Sequence, residues 1–346
     1  MGAVKRILVT GAGAPGGPGI IQSLKSVCAY AVYGADIDSH ASGRFLVDEF
    51  FQIPRPNENG FIGTLLEICL KKKIDVVVPL VTKELFVLSE STDLFAEHGI
   101  KVVVSENRAL TIANDKAGLY DQLAGTSVCL PDYLVVSSKS ELLKAVEAIG
   151  YPSKPVVIKP ARGNGSRGIR IVNSQKSRFD LLFNEKPSSL YCSLDDYLDA
   201  IGDNAIPQLV VSEYLPGGEV TVDSLVFNGK AEVILIRQRD AMREGISVAG
   251  HFIECQDVEE QVRTIVSTIP GLEGPIGFQF KMSDSGRYGL LESNPRLQGT
   301  SVAAQGLGYN FPHQAVQACL SGSIDTPQRT KNVGFKRYYK EVFFEL

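Results

Sequence analysis

Near the end of the chain, Gln279, Glu292 and Asn294 place three hard oxygen donors within a short span, and Arg296 follows them. Gln279 falls in a run of strand character from Gly277 to Met282, and Glu292 ends a second run from Tyr288. The Ser283-Asp284-Ser285-Gly286 stretch between the runs reads as a hairpin turn. Mg²⁺ takes oxygen ligands and is bound through one or two carboxylates together with nucleotide phosphates, so this set suits it. Arg296 would offset charge on a transferred phosphoryl group. The plainer reading is an ion pair between Glu292 and Arg296 at a rim.

A second group lies upstream. Lys159 ends an apolar run, Val156-Val157-Ile158, and is followed by a turn from Gly163 through Asn164, Gly165 and Ser166 to Gly168. A lysine at a strand end can hold a phosphate as a point charge, and glycines let backbone N–H groups close over a phosphate chain. An ordinary hairpin with an exposed lysine would look the same. In Ser212-Glu213-Tyr214-Leu215-Pro216-Gly217-Gly218-Glu219, a strand ends in a turn whose backbone could read an adenine edge, with Glu219 placed for ribose hydroxyls. Gly11-x-Gly13-x-x-Gly16, followed by Asp36 and Asp38, has the spacing of a dinucleotide fingerprint. Pro15 and Pro18 interrupt it, and a tight turn offering N–H groups to an anionic substrate fits better. No Walker loop, G-x-S-x-G or H-E-x-x-H occurs, and His40, His98, His251 and His313 are unpaired at helical spacing.

The elements that must position these residues fall into two patterns. Up to about residue 104, short β-branched runs (Ile7 to Thr10, Ala31 to Ala35, Val76 to Leu80, Val102 to Val104) alternate with helical periodicity at Ile20 to Val27 and Phe61 to Leu70. That predicts a doubly wound parallel sheet. A helical stretch follows from Ile112 to Leu130, then strands at Pro131 to Val136, Val156 to Lys159 and Ile169 to Val172, with a helix from Ser140 to Ile149. Phe179 to Ala205 reads as helical. Strands at Leu209 to Glu213, Glu219 to Phe227 and Ala231 to Arg237 come next, the last two joined by Asn228-Gly229, a hairpin signal. The Phe335 to Phe344 tail alternates and could add an edge strand.

With 346 residues, 35 basic against 39 acidic side chains and a net charge of -4, the chain predicts two or three domains and no nucleic-acid partner. Six scattered cysteines without C-x-x-C pairs, no apolar run long enough to cross a bilayer and an immediate first strand predict a cytoplasmic protein with no membrane partner.

In this order, the features resemble the ATP-grasp superfamily, most closely stand-alone proteins similar to one synthetase unit of carbamoyl-phosphate synthase large chain. Val9-Thr10-Gly11-Ala12-Gly13-Ala14-Pro15-Gly16-Gly17, Asp75 to Leu85, Asn114-Asp115-Lys116 and Leu290-Leu291-Glu292-Ser293-Asn294-Pro295-Arg296 carry the likeness. It implies a pre-ATP-grasp α/β domain over 1–110 and a two-lobed ATP-grasp fold with antiparallel sheets over 111–346, with a mobile lid at about 125–210. The resemblance further implies that Lys116, Lys159 and Gly163 to Gly168 contact ATP phosphates. Glu213, Tyr214 and Leu215 would form the adenine hinge, and Gln279, Glu292 and Asn294 would hold Mg²⁺ or Mn²⁺. The expected reaction activates a carboxylate as an acyl phosphate for attack by an amine or similar nucleophile. Lys159 and Arg296 would offset charge, and Arg237 or Arg243 would hold the acid. A homodimer is an ordinary expectation. Two alternatives stay open: a nucleotide-binding protein without catalysis, and a nicotinamide-dependent oxidoreductase using the Gly11 to Gly16 turn.

Overall fold

The computed structural model describes residues 3–163, 167–186, 189–243, 245–327 and 332–344. Three sheets follow one another along the chain. The first contains β1 (Lys5–Thr10), β2 (Tyr30–Asp36), β3 (Glu49–Gln52), β4 (Val76–Pro79) and β5 (Lys101–Val102) in the order β3-β2-β1-β4-β5, all parallel. Alternation along β1 explains its two covered faces. Ile7 and Val9 pack with Ile20, Ile21 and Leu24 of the helix Gly17–Lys25, whereas Leu8 packs with Leu65 and Cys69 of the helix Phe61–Lys72. The doubly wound expectation therefore holds, and the strand order reverses beside β1, where such sheets open a crevice.

The second sheet contains β6 (Tyr133–Val136), β7 (Val156–Pro160), β8 (Arg170–Val172), β9 (Tyr191–Cys192) and β10 (Leu209–Glu213), ordered β6-β10-β7-β8-β9. The expected β7/β8 hairpin is present, with Val156 opposite Val172. The helix Lys139–Ile149 closes one face through Leu142, Ala145 and Val146. The third sheet contains β11 (Glu219–Phe227), β12 (Lys230–Arg243), β13 (Ile246–Ile253), β14 (Gly274–Met282), β15 (Tyr288–Asn294) and β16 (Gly334–Lys336), ordered β15-β14-β11-β12-β13-β16 and antiparallel throughout. Val220, Val222, Ile236, Phe278 and Phe280 cover one face with Val258, Val262 and Ile265 of the helix Gln256–Thr268. The opposite face carries the polar residues of interest.

Several expectations need correcting. The stretch from Ile112 to Leu130 is no single helix: Asn107–Ala113 and Lys116–Leu123 are separate, because the Asp115 carboxylate accepts from the Ala117 and Gly118 N–H groups and starts a new helix. Phe179 to Ala205 holds two short helices, Arg178–Phe183 and Leu194–Ile201, capped by Ser177 and Ser193, with β9 between them. The strand expected to end at Arg237 runs on to Arg243. The tail adds an edge strand of three residues only. The helix Phe311–Ser321 returns to pack on the first sheet, with Phe311, Ala315 and Val316 joining the core around Ile7 and Val9. Among the described residues no helix is long and apolar enough to cross a membrane.

Candidate active site

One row across the third sheet defines the site. Phe252, Arg237, Thr221, Gln279 and Glu292 stand opposite one another on β13, β12, β11, β14 and β15, so all present side chains to one face. From Glu292 to Arg237 is three strand spacings, about 14 Å of backbone. The two ends of the row carry different chemistry.

At the Glu292 end, two lysines lie close to one carboxylate, and one of them pairs with it. Lys116 Nζ lies 3.2 Å from Glu292 Oε2 and donates to the Gly163 carbonyl at 3.1 Å. Its position follows from its helix, whose first turn is held to the end of β7 by the Lys116 N–H donating to the Ala161 carbonyl. One helical turn later, Tyr120 is fully buried and its hydroxyl accepts from Lys159 Nζ at 2.9 Å. The same hydroxyl lies 3.0 and 2.9 Å from the Leu290 and Leu291 carbonyls. Lys159 Nζ also stands 5.1 Å from the centre of the Tyr120 ring. Burial first, then the charge of Lys116, push the Lys159 amine down to about 7, and Glu292 pulls it back only in part. Asn294 Nδ2 donates to Glu292 Oε1 at 3.3 Å, and the Ser293 hydroxyl ties β15 to the Ala113 carbonyl at 2.8 Å.

Gln279, Glu292 and Asn294 thus bring oxygen donors together on adjacent strands, a set that fits a hard cation sharing its sphere with phosphates. Among the described residues no group of three or more His, Cys, Asp or Glu gathers as a metal site. Gln279 Oε1 accepts from Arg239 Nη1 at 3.3 Å, and Arg239 also pairs with Glu219 and donates to the Ser247 hydroxyl. Glu219 is therefore engaged by a guanidinium as well as standing opposite Lys281. Glu213, Tyr214 and Leu215 form the connection between the second and third sheets. There the Tyr214 ring meets Lys281 Nζ at 4.7 Å, the Glu213 carboxylate accepts from the Asp132 N–H, and Leu215 is buried. Gly163 and Gly168 flank the β7–β8 turn with positive φ, whereas Asn164, Gly165 and Ser166 lie outside the described residues.

At the other end, Arg237 is 1% exposed and donates from Nε (3.0 Å) and Nη2 (2.5 Å) to Asp223 Oδ2. Asp223 Oδ1 accepts from the Ser301 hydroxyl and Gln298 Nε2, which completes that carboxylate. Arg237 Nη1 is buried with no hydrogen-bond partner among the described residues. Arg296 reaches toward the first sheet, donating to the Thr82 hydroxyl at 3.2 Å and the Leu297 carbonyl at 3.0 Å, and its burial lowers the guanidinium's pKa from its usual value. Glu84 closes the start of its own helix by accepting from the Leu80 and Val81 N–H groups, and burial pushes its carboxyl up to about 7. Arg243 points away to the tail, where it donates to the Tyr339 hydroxyl.

The Gly11 to Gly16 turn is used for packing. The Ala12, Gly13, Ala14 and Gly17 N–H groups donate to the Ala35 carbonyl, the Asp36 carboxylate, and the Gly11 and Ala14 carbonyls, so none of these four faces a ligand. A Cβ on Gly16 would come within 2.2 Å of Gly299 Cα, which shows what that glycine admits: the loop after Arg296. These bonds leave an anion fewer N–H groups in the turn than its sequence offers and give the dinucleotide reading no support. Tyr120 and Arg239 were not singled out from sequence. Tyr120 had a signal in its one-turn spacing from Lys116, and Arg239 in its period-two spacing from Arg237.

Known proteins share parts of this chain. Residues 205–340 match the family described as ATP-grasp in the biosynthetic pathway with Ter operon, and residues 7–103 match the PylC-like N-terminal domain. Carbamoyl phosphate synthase large chain of Hyperthermus butylicus is 24% identical over 243 residues, covering 66% of this chain and 20% of its own length. The C-terminal section of the Aquifex aeolicus large chain is 22% identical over 229 residues, covering 66% and 41%. This chain thus spans less than half the length of these relatives. Among solved structures, N5-carboxyaminoimidazole synthetase from Staphylococcus aureus complexed with ADP superposes with a TM-score of 0.71 at 16% identity, covering 96% of this chain and 82% of that one. Biotin carboxylase from Campylobacter jejuni gives 0.66 at 17%, covering 93% and 72%. At these identities the likeness to solved structures establishes the fold.

Proposed function

We propose that the chain, which has the fold of ATP-grasp enzymes and matches an ATP-grasp family over residues 205–340, is an ATP- and Mg²⁺-dependent ligase that activates a carboxylate as an acyl phosphate and passes it to an amine or similar nucleophile, releasing ADP and phosphate. The observation that carries this reading is the pair of buried lysines, Lys116 in an ion pair with Glu292 and Lys159 within the field of both, with no second carboxylate paired to either among the described residues. Two cations in a low-dielectric site with one counter-charge are under-neutralised, and a polyphosphate supplies the missing anion.

The residues divide the work. Lys116 and Lys159, with the Gly163 to Gly168 turn, would hold phosphates, and Glu213, Tyr214 and Leu215 would meet the adenine, with Glu219 at the ribose. Gln279, Glu292 and Asn294 would hold Mg²⁺ or Mn²⁺, which when bound neutralises charge on the transferred group. Arg296 bridges the sheets where acid and phosphoryl group would meet, and Arg237 faces the acid. The protein's contribution is positioning and charge neutralisation. The second sheet would act as a lid that excludes water from an intermediate prone to hydrolysis.

ATP turnover with Mg²⁺ against a panel of carboxylic acids and amines tests this. The expected result is acid-dependent release of ADP and phosphate that falls at least a hundredfold in Glu292→Ala. AMP and pyrophosphate would point to adenylation, tight ATP binding without turnover to a sensor, and a thermal shift with NAD but none with MgATP to an oxidoreductase.

A further inference from the structure

The last described segment crosses the cleft beside Arg237. β16 pairs with β13 so that Phe335 stands opposite Gly250, itself opposite Arg239. Phe335 therefore shares the face of Arg237 and Gln279, and its ring lies 5.8 Å from the Arg237 guanidinium. Gly250 makes room for that ring, since a Cβ there would sit 2.9 Å from Phe335 Cε1 and 2.4 Å from the Gln238 carbonyl oxygen. Arg337 follows on the same alternation. Its N–H donates to the Val248 carbonyl at 2.8 Å, and its Nη2 reaches the Pro15 carbonyl of the first βα turn at 3.0 Å. Beyond it, Tyr339 meets Arg243 and Phe344 stacks on Phe45 at 4.9 Å. The tail is thus pinned to both the third sheet and the first domain, with Arg337 at the crossing.

We propose that Arg337 is a substrate-binding residue, brought to the cleft by the tail, that works with Arg237 to hold a carboxylate of the acid substrate; this rests on the ligase reading above. Three observations carry it. Arg237 engages Asp223 through two nitrogens and keeps Nη1 buried with no hydrogen-bond partner among the described residues. Among the described residues no carboxylate pairs with Arg337, which remains exposed beside the Pro15 carbonyl. Phe335, two residues before Arg337 on the same strand alternation, sets its ring 5.8 Å from the Arg237 guanidinium, and partial desolvation together with the Arg237 charge lowers the Arg337 pKa against the pull of Tyr339. Two guanidiniums on one side of the sheet, with donors to spare, match a bidentate anion. The Phe335 ring, lying against Arg237, supplies an apolar wall for the carbon skeleton of that acid.

The test compares wild type, Arg337→Ala and Arg337→Lys by MgATP thermal shift and by acid-dependent ADP release over a panel of mono- and dicarboxylates. Loss of a charge-assisted contact predicts that Arg337→Ala raises the KM of the acid about 10- to 100-fold, with Arg337→Lys recovering part of it. The KM for ATP and the MgATP shift should stay within about twofold, which separates binding of the acid from a general loss of structure. An unchanged acid KM in Arg337→Ala overturns the proposal, as does a parallel rise in the KM for ATP with loss of the MgATP shift. A wild-type protein with no MgATP shift removes the ligase reading itself and takes the Arg337 assignment with it.

Discussion

The two ends of the row across the third sheet solve the same problem differently. At one end, Lys116 and Lys159 face one carboxylate, and the excess charge is relieved because Lys159 can shed its proton near neutral pH. At the other, Arg237 faces Asp223 one to one, with the carboxylate completed by Ser301 and Gln298. Arginine does not deprotonate in proteins, so its charge must be matched in every state. The lysine end is thus adjustable, while the arginine end is fixed. A phosphate chain that enters and leaves with each turnover suits the first. A small acid that must be held in register suits the second.

The largest effect should come from breaking the fixed pair. Asp223 and Arg237 are 2% and 1% exposed, so Asp223→Ala strands a buried guanidinium and should cost about 3–5 kcal/mol of folding stability, read from urea midpoints. A loss below about 1 kcal/mol would mean that Arg237 escapes to solvent and that the two ends differ less than their geometry indicates.

A smaller, pH-dependent effect should mark the adjustable end. Lys159 titrates near 7 in the folded chain against an ordinary 10.5, so between these values the unfolded chain binds more protons. Wild-type stability should then rise with pH through that window, by about 2 kcal/mol from pH 7 to 9, relative to Lys159→Met. Polyphosphate binding should restore the Lys159 cation, so at pH 8 MgATP binding should take up a proton, measured by calorimetry in buffers of different ionisation enthalpy. Uptake that persists in Lys159→Met would assign the proton to another group.

How far these two ends could be read from sequence follows from what each residue does for its own element. Lys159 and Glu292 end β-branched or leucine-rich runs, and Asp115 starts a helix, so local patterning marks all three. The apolar alternation that marks β12 stops at Arg237, since Gln238-Arg239-Asp240-Ala241-Met242-Arg243 lacks it. These residues leave the core and face the cleft or solvent, so burial no longer writes the period into the sequence. Tyr120 looks like any core aromatic until Lys159 arrives from a strand 39 residues away. The place of the helix Phe311–Ser321 is illegible in the sequence for a similar reason, since what specifies it is the first sheet and Ser23, which bonds Asn310 from 287 positions away. Only tertiary contact reveals such residues.

Tyr120 offers the finest test of the comparison. Its hydroxyl accepts from Lys159 while lying within reach of the Leu290 and Leu291 carbonyls, so it links the lysine to the strand that carries Glu292. Tyr120→Phe keeps the ring and removes that link, leaving Lys159 Nζ with the Leu291 carbonyl at 3.5 Å. The cost should be about 1–2 kcal/mol, since a buried donor is left poorly satisfied. Because an amine without an acceptor tolerates its charge less well, the pH at which wild-type stability begins to rise should move down in the variant. A stability loss with no movement of that pH would show that Tyr120 only fills space, and that Lys116 and Glu292 alone set the Lys159 proton.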